Sequence, residues 1–315
     1  MLLWLVVTLT FVLVRLAPGD PTALLIAPGA SAADAARLRA ELGLDRSMAV
    51  QYAQWLIDVL RGDLGTSFAS ARPVTTVIAE AAPISVALGA ISLALTFLIG
   101  VPIGMVQAAR RGRLADRALT VMTTAMYAAP TFWIALALVS IFTYGAATLG
   151  LPPEWRLPAF GVRTPGVSLS GWAAVLDLIR HAILPIGILA GVGAAGIARY
   201  ARSSVADTLR HDYVRTARAK GVGAKRIYLR HVLANILPAL VVLFALSLPG
   251  LLAGSIFVES VFAWPGMGRA TLNAILARDY PVVLGATLFY SAAVIAANLA
   301  ADLVLPLLDP RREHA

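Results

Sequence analysis

The sequence DYVRTARAKG, at Asp212–Gly221, belongs to the longest stretch after residue 180 that is too polar to lie in hydrocarbon. Apolar segments precede and follow it, so the loop is held at a membrane surface by its neighbours. Read as a helix, it has one small and nearly flat face. That face carries Tyr213, Thr216, Ala217 and Lys220. Because Gly221 can end this helix as a C′ residue, we expect a helix, a glycine turn and a second short helix that begins near Ala224.

The composition is that of a membrane protein. Of the 315 residues, 59% are hydrophobic and 14% are charged, whereas a soluble chain carries about 25% charged residues. The net charge of +9 could suggest nucleic acid, but the basic residues flank apolar segments as the positive-inside bias requires. We therefore expect a lipid bilayer around the chain and no nucleic acid. The absence of cysteine and the spacing of the four histidines offer no metal site.

Six apolar segments divide the chain and predict an all-α membrane protein with six transmembrane helices. The predicted spans are residues 1–16, 82–108, 119–144, 181–199, 232–258 and 281–308. The first span is short for a full crossing, so we expect it to be truncated at its N-terminus. We interpret it as a membrane anchor and not as a signal peptide, because the charged n-region of a signal peptide is missing. Residues 17–82 form an extracytoplasmic helical segment, 83–308 a five-helix core, and 309–315 a tail.

Local signals refine this division. Ser31 and Asp34 resemble a capping box, which predicts a short helix. A second helix is expected over Met48–Arg61, with Tyr52, Trp55, Leu56 and Val59 on one stripe. Pro73 can open a third helix that leads into the next span. Gly100 and Gly104 form either a close-packing face or a pair of merely tolerated glycines, and Pro130 predicts a kink.

The distribution of arginine and lysine sets the orientation. Segments 107–117, 199–231 and 309–315 hold 15 basic residues in 51 positions, whereas segments 17–82, 145–180 and 259–280 hold 10 in 124. The positive-inside rule then places the first group in the cytoplasm. The sequence predicts that both termini and the loop at 200–231 are cytoplasmic.

No set of residues suggests catalysis. The chain has no GxSxG elbow, no phosphate-binding GxxxxGK[ST] and no pair of intramembrane carboxylates. Asp302, one helical turn after Asn298, is the one acid well inside a predicted span. It is either a structural partner of a buried group or part of a proton relay. We expect no enzymatic activity and no cofactor bound by this chain.

Five stretches in order carry a resemblance to a known family. DYVRTARAKG followed by RHVLAN resembles the cytoplasmic "EAA" loop of permease subunits of ATP-binding-cassette (ABC) importers, in the form found in the dipeptide and oligopeptide subfamily. The stretches RLAPGDP, LGLD with QYAQWLIDVLRGDLGTSF, ESVFAWPGMGR and LLDPRRE agree in the same order. Arg215 stands where the general motif begins with glutamate, and His231 and Ala234 replace its later isoleucine and proline.

The resemblance implies a type I ABC importer permease fold with a cytoplasmic coupling helix that docks into a separate ATPase subunit. The coupling residues that it implies are Asp212, Tyr213, Thr216, Ala217, Arg218, Ala219, Lys220 and Gly221. The alternative for this loop is a basic turn that binds lipid headgroups. The implied partners are a second, different permease, two ATPase subunits that hold ATP and magnesium, and an extracytoplasmic binding protein, at a bacterial cytoplasmic membrane.

The stretch WPGMGR is expected on the outer side. It forms either a re-entrant outer gate that meets the binding protein or a plain interfacial tryptophan anchor. The residues concerned are Trp264, Pro265, Gly266, Met267 and Gly268. The implied substrates are dipeptides and oligopeptides, with nickel complexes, glutathione or oligosaccharides as alternatives. An ion-coupled secondary transporter would need buried charges at mid-span, and only Asp302 is available.

Overall fold

The chain is helical in a computed structural model that describes residues 1–16, 31–248, 250 and 256–308. No β-strand occurs among these residues, which confirms the predicted all-α class. The helices are α1 Leu2–Leu16, α2 Ala32–Glu41, α3 Met48–Leu60, α4 Val74–Ala109, α5 Leu114–Ala128, α6 Thr131–Val139, α7 Gly171–Thr208, α8 Asp212–Ala219, α9 Ala224–Arg226, α10 Leu233–Ser247, α11 Ile256–Val261, α12 Met267–Leu276 and α13 Tyr280–Leu308. A π-helical turn, Ser140–Tyr144, extends α6, and another, Ile227–Val232, joins α9 to α10.

Four helical segments in the described residues are long and apolar enough to cross a membrane. They are Val74–Ala109, Gly171–Thr208, Ala224–Ser247 and Tyr280–Ala300. Helices α5 and α6 together form a fifth candidate, bent by 104° at the break before Thr131, where Pro130 removes a backbone donor. Helix α1 is a shorter apolar helix of 15 residues. These six segments correspond to the six predicted spans.

Several helices extend beyond the predicted boundaries. Helix α7 contains 38 residues, so residues 171–180, which precede the predicted span at 181–199, and residues 200–208, expected in the cytoplasmic loop, are helical. Apolar length marks only the part of a helix in hydrocarbon, and hydrogen bonding continues it into polar surroundings. The helix at Ala224 is not short, because it continues into α10. Residues 249 and 251–255 of the fifth predicted span, and the tail 309–315, lie outside the described residues.

The chain forms two compact units, residues 1–85 with 265–295 and residues 86–264 with 296–315. In the first unit, α3 packs on α1 through the predicted stripe. The Phe11 ring lies 5.2 Å from the ring of Tyr52 and 5.7 Å from that of Trp55. The predicted capping box is present at the start of α2, where the Ser31 hydroxyl and the Asp34 carboxylate each bond the other's backbone N–H.

A buried carboxylate organises the loop that precedes α4. Asp279, which is buried, accepts hydrogen bonds from the Ser67 hydroxyl at 2.5 Å, the Phe68 N–H at 3.0 Å and the Ala69 N–H at 3.2 Å. Beside it, an apolar cluster joins α4, α12 and α13; its buried members are Val74, Ile78, Ala81, Ala82, Met267, Ala274, Val282 and Ala286. Both features fix the polar segment before α4 to the elements around residue 280.

In the second unit, α4 and α7 touch backbone to backbone. A Cβ atom added at Gly100 would lie 2.8 Å from the Ala194 carbonyl oxygen, and one at Gly104 would lie 2.5 Å from that of Ala198. This confirms the close-packing interpretation of the glycine pair. The same crossing uses Gly193, where an added Cβ would lie 2.5 Å from the hydroxyl oxygen of Thr96.

Candidate functional site

Helix α8 is held against the neighbouring helices of the second unit mainly by one apolar side chain, Val214. Val214 is fully buried in a cluster that joins the end of α4 to α7 and α10. The other members of that cluster are Ala108, Val205, Ile227, Val232, Ile236 and Leu240. Because α8 has eight residues and is otherwise polar, this contact determines which of its faces points outward.

A glycine turn ends α8 as predicted. Gly221 has a φ of +76°, its N–H donates to the Arg218 carbonyl, and the Val222 N–H donates to the Ala217 carbonyl. These two bonds form a Schellman motif, which needs a left-handed residue at C′. Nothing lies within 4 Å of a Cβ added at Gly221, so backbone conformation and not space favours glycine there.

Seven of the eight predicted coupling residues are exposed in this structure. They are Asp212, Tyr213, Thr216, Arg218, Ala219, Lys220 and Gly221. The expectation that Ala217 forms the centre of the outward face is wrong, because only 8% of Ala217 is exposed. It lies three residues after Val214 and therefore shares the inward face of the helix. The outward surface is centred on Tyr213 and Thr216.

The stretch at Trp264 is buried to a degree that the sequence did not indicate. Only 7% of Trp264 is exposed, and Gly266, Met267 and Gly268 are buried, whereas Pro265 is exposed. A plain interfacial tryptophan anchor needs an exposed ring, so that interpretation is wrong. Met267 belongs to the apolar cluster of the first unit, and its N–H donates to the Ser85 hydroxyl at 2.8 Å. Of the five residues, Pro265 alone is available to a partner.

Asn298 and Asp302 are both exposed on α13. The interpretation of Asp302 as a structural partner of a buried group stays a prediction. The proton-relay interpretation of this polar pair stays a prediction.

A cavity of about 380 Å³ between α4, α7 and α10 was missed by sequence reasoning. Its lining combines the apolar side chains Leu93, Leu189 and Ile197 with small or polar residues, namely Gly89, Ser92, Thr96, Gly193, Gly196, Ser247 and Gly250. Ser92 is 5% exposed, and its hydroxyl has no hydrogen-bond partner among the residues that the structure describes. Buried hydroxyls are normally satisfied, so this cavity suits a ligand or water with a polar group. The one sequence signal was the glycine content of residues 187–196.

Comparisons with known proteins agree with this architecture. Residues 100–314 match the family described as "Binding-protein-dependent transport system inner membrane component", and residues 1–89 match the N-terminal family of the same transport-system membrane components. The oligopeptide transport system permease protein AppB of Bacillus subtilis is 36% identical over 97% of this chain and 93% of its own length.

Two further relatives have similar coverage. A putative peptide permease protein of Brucella ovis is 40% identical over 96% of this chain and 92% of its own length. The probable D,D-dipeptide transport system permease protein DdpB of Escherichia coli is 36% identical over 97% and 92%.

The fold itself is found in solved structures. The chain is similar to a chain of the inward-facing MetNI methionine ABC transporter, with TM-scores of 0.53 and 0.56 in two crystal forms at 16% identity. These matches cover 75% and 74% of this chain and 97% and 96% of the other. The predicted type I ABC importer permease fold is confirmed. With family matches that together span nearly its whole length, this chain belongs to the inner membrane components of binding-protein-dependent ABC transport systems.

Proposed function

We propose that this chain is one permease of an ABC importer that carries dipeptides or oligopeptides inward across the bacterial cytoplasmic membrane. The peptide substrate is supported by the names of relatives that align with more than nine tenths of this chain. The observation that carries the mechanism is α8, an exposed polar helix seated by Val214 on the ends of three longer helices. A helix held in this way transmits a rigid-body shift from a docked subunit to those helices.

Energy enters through separate ATPase subunits in this proposal. The sequence has no phosphate-binding loop, so ATP and magnesium are bound by the partners and this chain catalyses no reaction. The complete assembly contains a second, different permease, two ATPase subunits and an extracytoplasmic binding protein. The density of basic residues in the loops around α8 supports a cytoplasmic position for α8 and for both termini.

The test uses the assembled transporter in proteoliposomes, with its binding protein and a labelled dipeptide or tripeptide. Gly221→Trp is expected to leave ATP hydrolysis measurable while uptake falls at least about tenfold, since an altered α8 turn misplaces the docked subunit. Gly166→Trp is the matched control, because Gly166 has a φ of +75° and equally open surroundings in another turn. Normal uptake by the Gly221 variant would reject the coupling role.

Substrate and energy source have separate readouts in the same system. Uptake of the peptide that requires ATP and survives collapse of the proton gradient supports the importer. Uptake that survives ATP depletion but stops without an ion gradient would instead support a secondary transporter that uses Asp302. Failure of every peptide, with ATP-dependent uptake of a nickel complex, glutathione or an oligosaccharide, would keep the importer and replace the substrate.

The cavity at Ser92 is a proposed contact of the transported solute. Ser92→Trp would fill it, and we expect an uptake loss of about tenfold with the assembly intact. Leu98→Trp is the control on the same helix, because Leu98 is 70% exposed and does not line the cavity. Equal uptake by both variants would remove the cavity from the path.

A further inference from the structure

A second cavity of the same unit gathers positive charge where α4 ends. Its volume is about 310 Å³, and its polar lining consists of Arg111, Arg199, Arg202, Ser203, Asp207 and Arg210. Four guanidinium groups thus share one concavity with the Asp207 carboxylate, and a second carboxylate, Asp116, pairs with Arg202, so two positive charges remain unbalanced. Like charges held together in this way repel each other unless an anion lies among them.

Two of the four arginines are fixed in place. Arg202 forms a bidentate pair with Asp116, with nitrogen–oxygen distances of 2.9 and 3.0 Å. Asp116 is buried and also accepts the Gly112 N–H at 2.9 Å, so the pair is anchored to the turn between α4 and α5. The Arg199 guanidinium lies 4.6 Å from the centre of the Tyr127 ring, within the range of a cation–π interaction.

The other two arginines are available to a ligand. Arg111 and Arg210 are exposed, and neither takes part in an ion pair among the described residues. The cavity therefore combines two positioned guanidinium groups with two that can close over an anion. Guanidinium forks match the oxygens of a phosphate group, which accepts paired hydrogen bonds.

The sequence of α7 favours a position for the cavity near the lipid headgroups. With 38 residues, α7 is about 57 Å long at 1.5 Å per residue, whereas the hydrocarbon core is about 30 Å thick. The apolar part of α7 ends at Arg199, and Arg202 follows one turn later. Helix α8, where we place ATPase docking, begins 13 residues after Arg199. At 1.5 Å per residue, a continuous helix of that length would extend about 20 Å beyond Arg199. No residue of α8, all of which the structure describes, lines the cavity, so α8 is separate from it.

We propose that this cavity binds the phosphate group of an anionic phospholipid from the cytoplasmic leaflet. Basic pockets at the cytoplasmic ends of transmembrane helices suit such headgroups, because that leaflet carries the anionic lipids. A concave site at the membrane boundary fits a headgroup better than the protruding surface of a docked protein. The bound lipid would cancel the repulsion among the arginines and hold α4, α5 and α7 together.

The experiment measures lipid retention by the assembled transporter in nanodiscs of phosphatidylcholine with and without phosphatidylglycerol, using native mass spectrometry. The variant Arg111→Gln with Arg210→Gln is expected to reduce preferential retention of phosphatidylglycerol about tenfold or more. The control, Arg110→Gln with Arg113→Gln, removes the same charge from exposed residues of the same turn that do not line the cavity. We expect less than about a twofold change there, because diffuse attraction is screened by salt.

A second variant separates shape from charge. Ser203→Trp fills the cavity without changing a charge, and Ser203 is exposed, so the chain should assemble normally and lose the retained lipid. Equal losses of phosphatidylglycerol retention in the two arginine double variants, or normal retention by Ser203→Trp, would mean that the lipid is held by diffuse attraction. Either result would reject the proposed lipid site. Release of the lipid by millimolar inorganic phosphate would assign the site to free phosphate. Loss of the ATPase subunits with lipid retention unchanged would make it a protein contact.

Discussion

Helix α8 rests on one buried apolar contact and leaves most of its residues exposed, whereas the turn at Trp264–Gly268 is buried nearly throughout. Both segments carry the sequence resemblance to peptide permeases. The structure separates them, because α8 offers Tyr213 and Thr216 to a partner and the turn offers Pro265 alone. A motif shared within a family is thus an exposed surface in one place and a buried structural element in the other. Three predictions test this difference, and a fourth concerns α2, which lies outside both segments.

The largest effect is expected at Met267. Met267→Asp would place a charge in the apolar cluster with Val74 and Ala274, and an unpaired buried charge costs about 4 kcal/mol or more in free energy of unfolding. We expect the chain to be lost from the membrane fraction, measured by size-exclusion chromatography of a fluorescent fusion. Met267→Leu, which preserves volume, should accumulate normally. Normal accumulation of the aspartate variant would mean that the turn is not buried as described.

The next effect is expected at the seat of α8. Val214→Ala removes buried methyl groups from a cluster at the ends of three helices and should cost about 2 kcal/mol. Since this cost falls on α8, limited proteolysis should cleave near Gly221 faster and coupled uptake should fall with it. Ala224→Ser, at an exposed position of the neighbouring helix α9, is the control. If Val214→Ala changed neither proteolysis nor uptake, α8 would not depend on this contact.

On the exposed face of α8, we expect a smaller change in stability together with a clear loss of coupled uptake. Tyr213→Ala combined with Thr216→Ala should change the free energy of unfolding by less than about 0.5 kcal/mol. Coupled uptake should fall about tenfold, since truncating an interface tyrosine removes a large contact. Arg215→Ala is the control, because its 3.4 Å pair with Asp212 is exposed and contributes little. A drop in unfolding temperature with coupling intact would reverse the assignment.

The smallest effect is expected in α2, where none of the side chains with a described environment is buried. Hydrogen bonds from Ser31 hold the pKa of the Asp34 carboxyl below its ordinary value. The contribution of this carboxylate to the stability of α2 is therefore fully present above its pKa in the unfolded chain, about 4. That contribution is lost as the pH falls through the lower folded pKa. Hydrogen exchange at Arg37–Ala40 should therefore quicken on acidification, and Asp34→Ala should show the fast rate at neutral pH. Identical exchange in wild type and variant would exclude a role for the capping box.

Apolar length, proline and glycine were sufficient to predict the spans, the break at Pro130 and the contact at Gly100 and Gly104. The orientation of α8 was mispredicted, although Val214 is the one strongly apolar residue in DYVRTARA and Ala217 follows it by one turn. Its inward face depends on a cluster that includes Ala108 and Leu240, which are far apart in sequence. The basic cavity depends in the same way on Arg111 and Arg210, and no local pattern joins these residues.

The contact of α4 with α7 limits where this permease can bend. Carbonyl oxygens and the Cβ atoms of Ile197 and Ala201 on α7 lie directly against Gly100 and Gly104 of α4, which leaves little space for sliding. Spin labels on these two helices should therefore keep a constant separation through the transport cycle. Alternation between inward and outward access would then have to be produced at joints such as Ala129–Pro130, where the helix is already interrupted.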